Sequence, residues 1–212
     1  TVSTLFNPGK TFGHAGQIVC ARGLAVTGDG EVVIAEQDSR RLQIFSRGGA
    51  PTCRIGENRL DFGINGAFDV AVNPVTGFLY APSPDNACVH VYDGVGKVAT
   101  LGEKGYDEGM FQWPTGVAVN QAGTVLAVAD DRACRLQLWS LPGHNFIKVI
   151  NPRRAHCRRL YGVTFSPEGE LVVSYQDSGA VKVFGLEDGK LHNEVGTVKG
   201  IRSVACDREG FI

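Results

Sequence analysis

Short apolar runs recur along the chain at a nearly constant interval. Five of them align: Arg22-Gly-Leu-Ala-Val26, Phe68-Asp-Val-Ala-Val72, Thr115-Gly-Val-Ala-Val119, Tyr161-Gly-Val-Thr-Phe165 and Arg202-Ser-Val-Ala-Cys206. Their third residues, Leu24, Val70, Val117, Val163 and Val204, lie 46, 47, 46 and 41 positions apart. Each run passes into a polar turn that ends on a glycine: Gly30, Gly77, Gly123, Gly169 and Gly210. After the first four glycines comes a second apolar run, Val32-Val33-Ile34, Phe78-Leu79-Tyr80, Val125-Leu126-Ala127-Val128 and Leu171-Val172-Val173. A third follows with period-two alternation: Leu42-Gln43-Ile44-Phe45, Val89-His90-Val91-Tyr92, Leu136-Gln137-Leu138-Trp139 and Val181-Lys182-Val183-Phe184. A fourth, weaker strand is expected after another turn, as in Lys97-Val98-Ala99-Thr100-Leu101. Alternation predicts strands, and no window sustains a helical period.

Four antiparallel strands repeated at this interval predict an all-β chain folded as a β-propeller of four-stranded blades. The blades fall near 21–66, 67–111, 112–158 and 159–200, in a single domain spanning 1–212, with partial blades at 1–20 and 201–212. Val2-Ser-Thr-Leu-Phe6 reads as an orphan fourth strand and Ser203-Val204-Ala205 as a final first strand. Two counts fit: five blades with an open fifth, or a six-bladed ring of which this chain is an incomplete part. The second is favoured, because an open blade leaves unpaired edges.

Composition narrows the class. The chain has 212 residues, 43% hydrophobic and 20% charged, with a formal net charge of −1. That is too apolar for a disordered chain, and a near-zero charge argues against a globally basic nucleic-acid binder. No apolar run approaches the roughly 18 residues of a membrane span, so no membrane partner is expected. The six cysteines, Cys20, Cys53, Cys88, Cys134, Cys157 and Cys206, form no CxxC pair. They read as free, partly buried thiols of a reducing compartment, with disulfides the lesser alternative. The chain opens at Thr1 without a signal-like segment and reads as a cytoplasmic piece of a longer protein.

The repeats resemble NHL repeats, in which Pro-x-Gly-Val-Ala-Val leads through a glycine turn to Val-Ala-Asp and then to Arg-Ile-Gln-Val-Phe. The third blade matches best, with Pro114-Thr-Gly-Val-Ala-Val119, Val128-Ala-Asp130 and Arg135-Leu-Gln-Leu-Trp139. The first is close, with Gly23-Leu-Ala-Val26 and Arg41-Leu-Gln-Ile-Phe45. Blades two and four depart: Cys88 and Ala180 stand in place of the Arg, and Pro82 and Tyr175 in place of the acid. The chain looks most like the C-terminal propeller of tripartite-motif proteins. That resemblance implies a non-catalytic module of a larger, E3-ubiquitin-ligase-like protein. The module would bind single-stranded or structured RNA in post-transcriptional regulation, or else recruit protein substrates to the ligase. It also implies that Arg41 and Arg135 bridge neighbouring blades.

Charge separates by rim. In a propeller the fourth-to-first and second-to-third connections share one rim, here the top. The bottom turns carry Asp29, Glu31, Asp93, Glu168, Glu170, Glu187 and Asp188 against Arg47, Lys97 and Lys190. On top, Arg153, Arg154, Arg158 and Arg159 crowd one connection, with Arg132 and Arg135 in the adjacent blade and Lys199 and Arg202 in the next. With Tyr161, Phe111 and Trp113 nearby, this sector suits phosphate pairing and base stacking. Exposed Trp113, Phe111 and Tyr106 would serve a protein partner equally. Arg22, Phe68, Thr115, Tyr161 and Arg202 should ring the channel mouth, and the resemblance implies RNA contacts from this ring at Arg22, Phe68, Tyr161 and Arg202 and from the loop before the third strand at Arg40. With the basic sector added, the expected RNA site is Arg22, Arg40, Phe68, Arg132, Arg153, Arg154, Arg158, Arg159, Tyr161 and Arg202. His14, His90, His144, His156 and His192 occupy unlike repeat positions, and Asp69 is a lone inward carboxylate. No metal, cofactor, small-molecule substrate or catalytic site is expected.

Overall fold

The computed structural model describes residues 18–56, 66–150, 159–207 and 209–212. Within them, sixteen strands form four sheets. The first is β1 (Ala21–Val26), β2 (Val32–Glu36), β3 (Arg41–Phe45) and β4 (Pro51–Ile55). The second is β5 (Ala71–Val72), β6 (Leu79–Ser83), β7 (Cys88–Tyr92) and β8 (Lys97–Leu101). The third is β9 (Pro114–Val119), β10 (Val125–Asp130), β11 (Arg135–Ser140) and β12 (Asn145–Ile150). The fourth is β13 (Leu160–Phe165), β14 (Leu171–Tyr175), β15 (Ala180–Phe184) and β16 (Leu191–Thr197). Every sheet is an antiparallel meander in chain order. Among the described residues no helix is long and apolar enough to cross a membrane.

The core lies between blades rather than within one. Val33, Ala35, Leu42 and Ile44 of the first sheet meet Val70, Leu79, Ala81 and Tyr92 of the second. Tyr80, Val89 and Val91 meet Val117, Leu126, Val128 and Trp139 of the third. Leu136, Leu138 and Ile150 meet Leu160, Leu171 and Val173 of the fourth. A second strand therefore buries both of its faces, which is why Val32-Val33-Ile34 reads as an unbroken apolar run rather than an alternating one.

First strands approach one another so closely that a side chain rarely fits. A Cβ at Gly116 would collide with the Tyr161 carbonyl of the next blade, and one at Gly23 with Asp69. The pairing register slips at this level in three blades, between Ala21 and Gly23, opposite Val128 to Asp130, and between Leu160 and Val163. The second blade has Asp69 at this level, and its first strand shrinks to Ala71–Val72. Residues 203–205 form no strand. Ser174 Oγ donates to the Arg202 carbonyl at 3.1 Å, so the segment lies along the fourth blade, with no second strand to pair with among the described residues. Val2–Phe6 lies outside the described residues.

A polar clamp ties the third blade to the connection before it. Asp130, fully buried, accepts from the Trp113 N–H at 2.7 Å and from the Gln112 N–H at 3.1 Å. Arg135 pairs with Asp130 at 3.4 Å and donates to the carbonyls of Tyr106 (2.6 Å), Asp107 (3.1 Å) and Met110 (2.6 Å). Gln137 donates to the Met110 carbonyl at 2.5 Å and accepts from the Gly109 N–H at 2.9 Å. Burial pushes the Asp130 carboxyl above its usual range, against the pull of those N–H groups and of Arg135. Arg135 thus ties its blade to the connection that leads in from the second. In the first blade Arg41 pairs with buried Glu36, which also accepts from the Val19 N–H at 2.5 Å. Cross-strand register puts Ser83, not Pro82, at the acid's place in the second blade, because Ser83 faces Cys88 as Asp130 faces Arg135.

The cysteine expectation needs correction. Cys134 is disulfide-bonded, whereas Cys20, Cys53, Cys88 and Cys206 are free. Cys134 closes the tight β10–β11 turn with its N–H on the Asp131 carbonyl at 3.1 Å. Linear spacing gives no hint of a covalent partner for a residue held in such a turn.

Arg135→Met is expected to cost about 3 kcal/mol, because it leaves Asp130 charged and buried while the Tyr106 and Asp107 carbonyls lose their donor and the Met110 carbonyl keeps only Gln137. Arg132→Ala, which removes only an exposed contact with Trp113, should cost no more than about 1 kcal/mol. Urea unfolding followed by tryptophan fluorescence measures both.

Candidate binding face at the channel mouth

The clamp sets the position of Trp113. Its N–H is held by Asp130, and its carbonyl accepts from the Asp131 N–H at 3.0 Å. The β10–β11 turn then carries Arg132 back over the indole, with the guanidinium carbon 3.9 Å from the ring centroid. Phe68, in the turn before β5, meets Trp113 edge to face at 6.3 Å. Arg22, in β1, lies 5.5 Å from the centroid of Phe68, and its Nε donates to Gln37 Oε1 at 2.6 Å. The result is a row across three blades: cation, aromatic, aromatic, cation. Exposed contacts of this kind contribute about 0.5–1 kcal/mol each. Of the predicted set, Arg22, Phe68 and Arg132 are thereby brought together.

The same two repeat positions carry different chemistry one blade on. Arg159 stands where Trp113 stands, since the Gln176 N–H bonds its carbonyl at 3.0 Å as Asp131 does that of Trp113. Its guanidinium meets Gln176 at 3.2 Å and Asp177 at 3.9 Å. Acid thus replaces Arg132, and the charge of Arg159 is locally matched. Arg40 is exposed in a left-handed turn at the end of the β2–β3 connection. Tyr161 is half-buried in β13, and Arg202 is exposed beyond β16. Arg153, Arg154 and Arg158 lie outside the described residues.

Two expected rim residues turn inward. Phe111 is fully buried and stacks on Trp139 at 6.0 Å, because the connection from Gly102 to Gly109 folds over it. Thr115 is buried too, its hydroxyl donating to the Leu160 carbonyl at 2.8 Å. Trp113 is half-buried, whereas Tyr106 is 75% exposed. Gln37, which orients Arg22, was invisible to the repeat alignment, since a polar turn residue carries no periodic signal.

Below the row, the first strands and residues 203–205 line an open cavity of about 660 Å³. Asp69 lines it. Its Oδ1 accepts from the Val70 N–H at 2.9 Å and its Oδ2 from the Val117 N–H of the next blade at 3.1 Å. Burial pushes the carboxyl up to about 7, with the two N–H groups pulling the other way. The described histidines lie elsewhere. Burial holds His90 down to about 4 beside Cys88 and Thr100. It also lowers His144, 3.3 Å from the Tyr80 hydroxyl. His192 is raised by Glu170 and Asp188 on the bottom rim. Among the described residues no three His, Cys, Asp or Glu side chains gather as metal ligands.

No protein-family model matches the chain. Over 91 residues it is 31% identical to human (Homo sapiens) NHL-repeat-containing protein 4, covering 43% of this chain and 64% of that protein. A solved streptogramin B lyase structure superposes on 87% of this chain and 57% of its own, with a TM-score of 0.66 at 11% identity, a likeness of fold alone. The fold is a β-propeller of four-stranded antiparallel blades. This propeller is also 24% identical over 123 residues to Autophagy-related protein 18 of Caenorhabditis elegans, 58% of this chain and 29% of that protein. The chain spans less than two thirds of the length of each.

A carboxyl whose folded pKa lies near 7 instead of 3.8 adds stability at acidic pH and loses it as pH rises through 7. Asp69→Asn keeps an oxygen for the Val117 N–H and carries no charge. The variant is expected to be more stable than the parent by about 1–3 kcal/mol near pH 8 and equal to it near pH 4. Urea unfolding across that range tests the sign.

Proposed function

We propose that this propeller is a non-catalytic binding module of a longer tripartite-motif-like protein. It recognises single-stranded or structured RNA on its top rim and serves post-transcriptional regulation. The observation that carries the reading is the row Arg22–Phe68–Trp113–Arg132. Guanidinium groups match phosphate geometry, and aromatic faces between them offer stacking to unpaired bases. Arg40, Arg159, Tyr161 and Arg202 extend the rim on either side.

A second reading, a platform that recruits protein substrates to a ubiquitin ligase, draws on one specific feature. Arg132 covers a face of Trp113, and Tyr106 stands exposed nearby, a Trp–Arg–Tyr set of the kind that anchors protein interfaces. A cytoplasmic location belongs to the proposal. Four free cysteines support it, and the disulfide at Cys134 opposes it.

Fluorescence anisotropy with short labelled single-stranded RNAs should give saturable binding that weakens with salt. The double variant Arg22→Glu/Arg132→Glu should weaken it by about tenfold or more while the domain stays folded, at a cost of no more than about 2 kcal/mol. Unchanged affinity in the double variant would remove the row from the site. No RNA binding even at low salt would leave protein recruitment as the function.

A further inference from the structure

The cavity beneath the rim is unusual in its chemistry. Its wall is built of small aliphatic groups, among them Ala21, Val72, Ala118, Val163 and Val204, and its only charged members among the described residues are Asp69 and Arg22. Building a first strand does not require that acid. Gly23, Gly116 and Gly162 occupy the same repeat position in the other three blades, and the Asp69 blade has the shortest first strand. Each carboxylate oxygen accepts one backbone N–H, which leaves acceptor capacity on both. No cationic side chain of the described residues pairs with it: Arg22 is drawn off to Gln37 and Phe68. An ionised group half-buried against an apolar wall gains most from a cation that brings its own apolar stem.

We propose that this cavity is a binding site for an alkylammonium or guanidinium group on an apolar stem, held by the Asp69 carboxylate. The stem lies against the methyl-lined wall and the cation displaces water from the carboxylate. Such a group arrives either as the Lys or Arg side chain of a protein partner or as a free amine. A neutral apolar guest would be indifferent to the charge at Asp69. The site shares only Arg22, at its mouth, with the RNA reading and does not use Arg132 or the aromatic pair.

Titration of the ¹⁵N-labelled protein with n-butylammonium chloride, and with a capped Ala-Ala-Lys-Ala-Ala peptide, reads the site through the Val70 and Val117 amides. Saturable shifts of both amides are expected, with affinity rising about five- to tenfold from about pH 6 to about pH 8 as Asp69 ionises. In Asp69→Asn the affinity should fall about tenfold or more. Butan-1-ol, the uncharged analogue, should leave both amides unmoved, and it decides the matter in the parent protein should the variant fail to fold. A peptide that binds about tenfold tighter than butylammonium assigns the group to a protein partner; equal or weaker binding assigns it to a free amine. No shifts at about 50 mM probe, shifts unchanged in Asp69→Asn, or equal shifts with butan-1-ol would overturn the proposal.

Discussion

A propeller blade is a twisted sheet with two apolar faces, and nothing in a four-stranded meander alone sets the angle at which the next blade leans on it. In the third blade that angle is held by Asp130, Arg135 and Gln137, which gather six backbone groups of the preceding connection into one buried network. The network satisfies Gly109, Met110, Gln112 and Trp113, main-chain groups that would otherwise be left unpaired inside the molecule. Because every acceptor and donor in it is matched, the charges inside are tolerated.

Not every blade repeats the clamp. The second has Ser83, Cys88 and His90 at the three positions, and the fourth has Tyr175, Ala180 and Lys182. Neither set carries an Arg–carboxylate pair at these positions. Among the described residues the fourth blade is joined to the third by the apolar interface and, at the inner rim, by contacts such as the Leu160 N–H on Asp131 at 2.8 Å. In the clamped third blade the bond that fixes Trp113 in the network is also the bond that presents its ring to Arg132.

Much of this was legible in the chain. Alternation located β3, β7, β11 and β15 to within a residue, and Lys97–Leu101 is β8 as expected. Those signals are strong because each strand is buried on a known period. Side-chain direction at the rim was less legible. Phe111 and Trp113 sit two residues apart in the same connection, and only the fold-back between Gly102 and Gly109 decides that one is core and the other surface. Thr115 aligns with Arg22, Phe68 and Tyr161, yet its short hydroxyl reaches a carbonyl of the next blade where longer side chains must turn outward. Position in a repeat gives a residue's level in the ring; size and local hydrogen bonding give its direction.

The two charged features of this face answer to different physics. Arg22 and Arg132 sit at the rim in water, where their attraction for a partner is screened within about 8 Å at physiological salt and depends on how many phosphates or carboxylates arrive together. Asp69 sits half-buried at an apolar wall, where one charge is felt more strongly than at the rim and one counter-charge suffices. Salt should therefore tune the rim and leave the cavity nearly untouched, while pH near 7 should tune the cavity and leave the arginines alone, because guanidinium does not titrate there. A partner with a basic side chain for the channel and an acidic or phosphorylated surface for the rim would engage both at once. Linking two such contacts on one molecule multiplies affinity without any new contact being made.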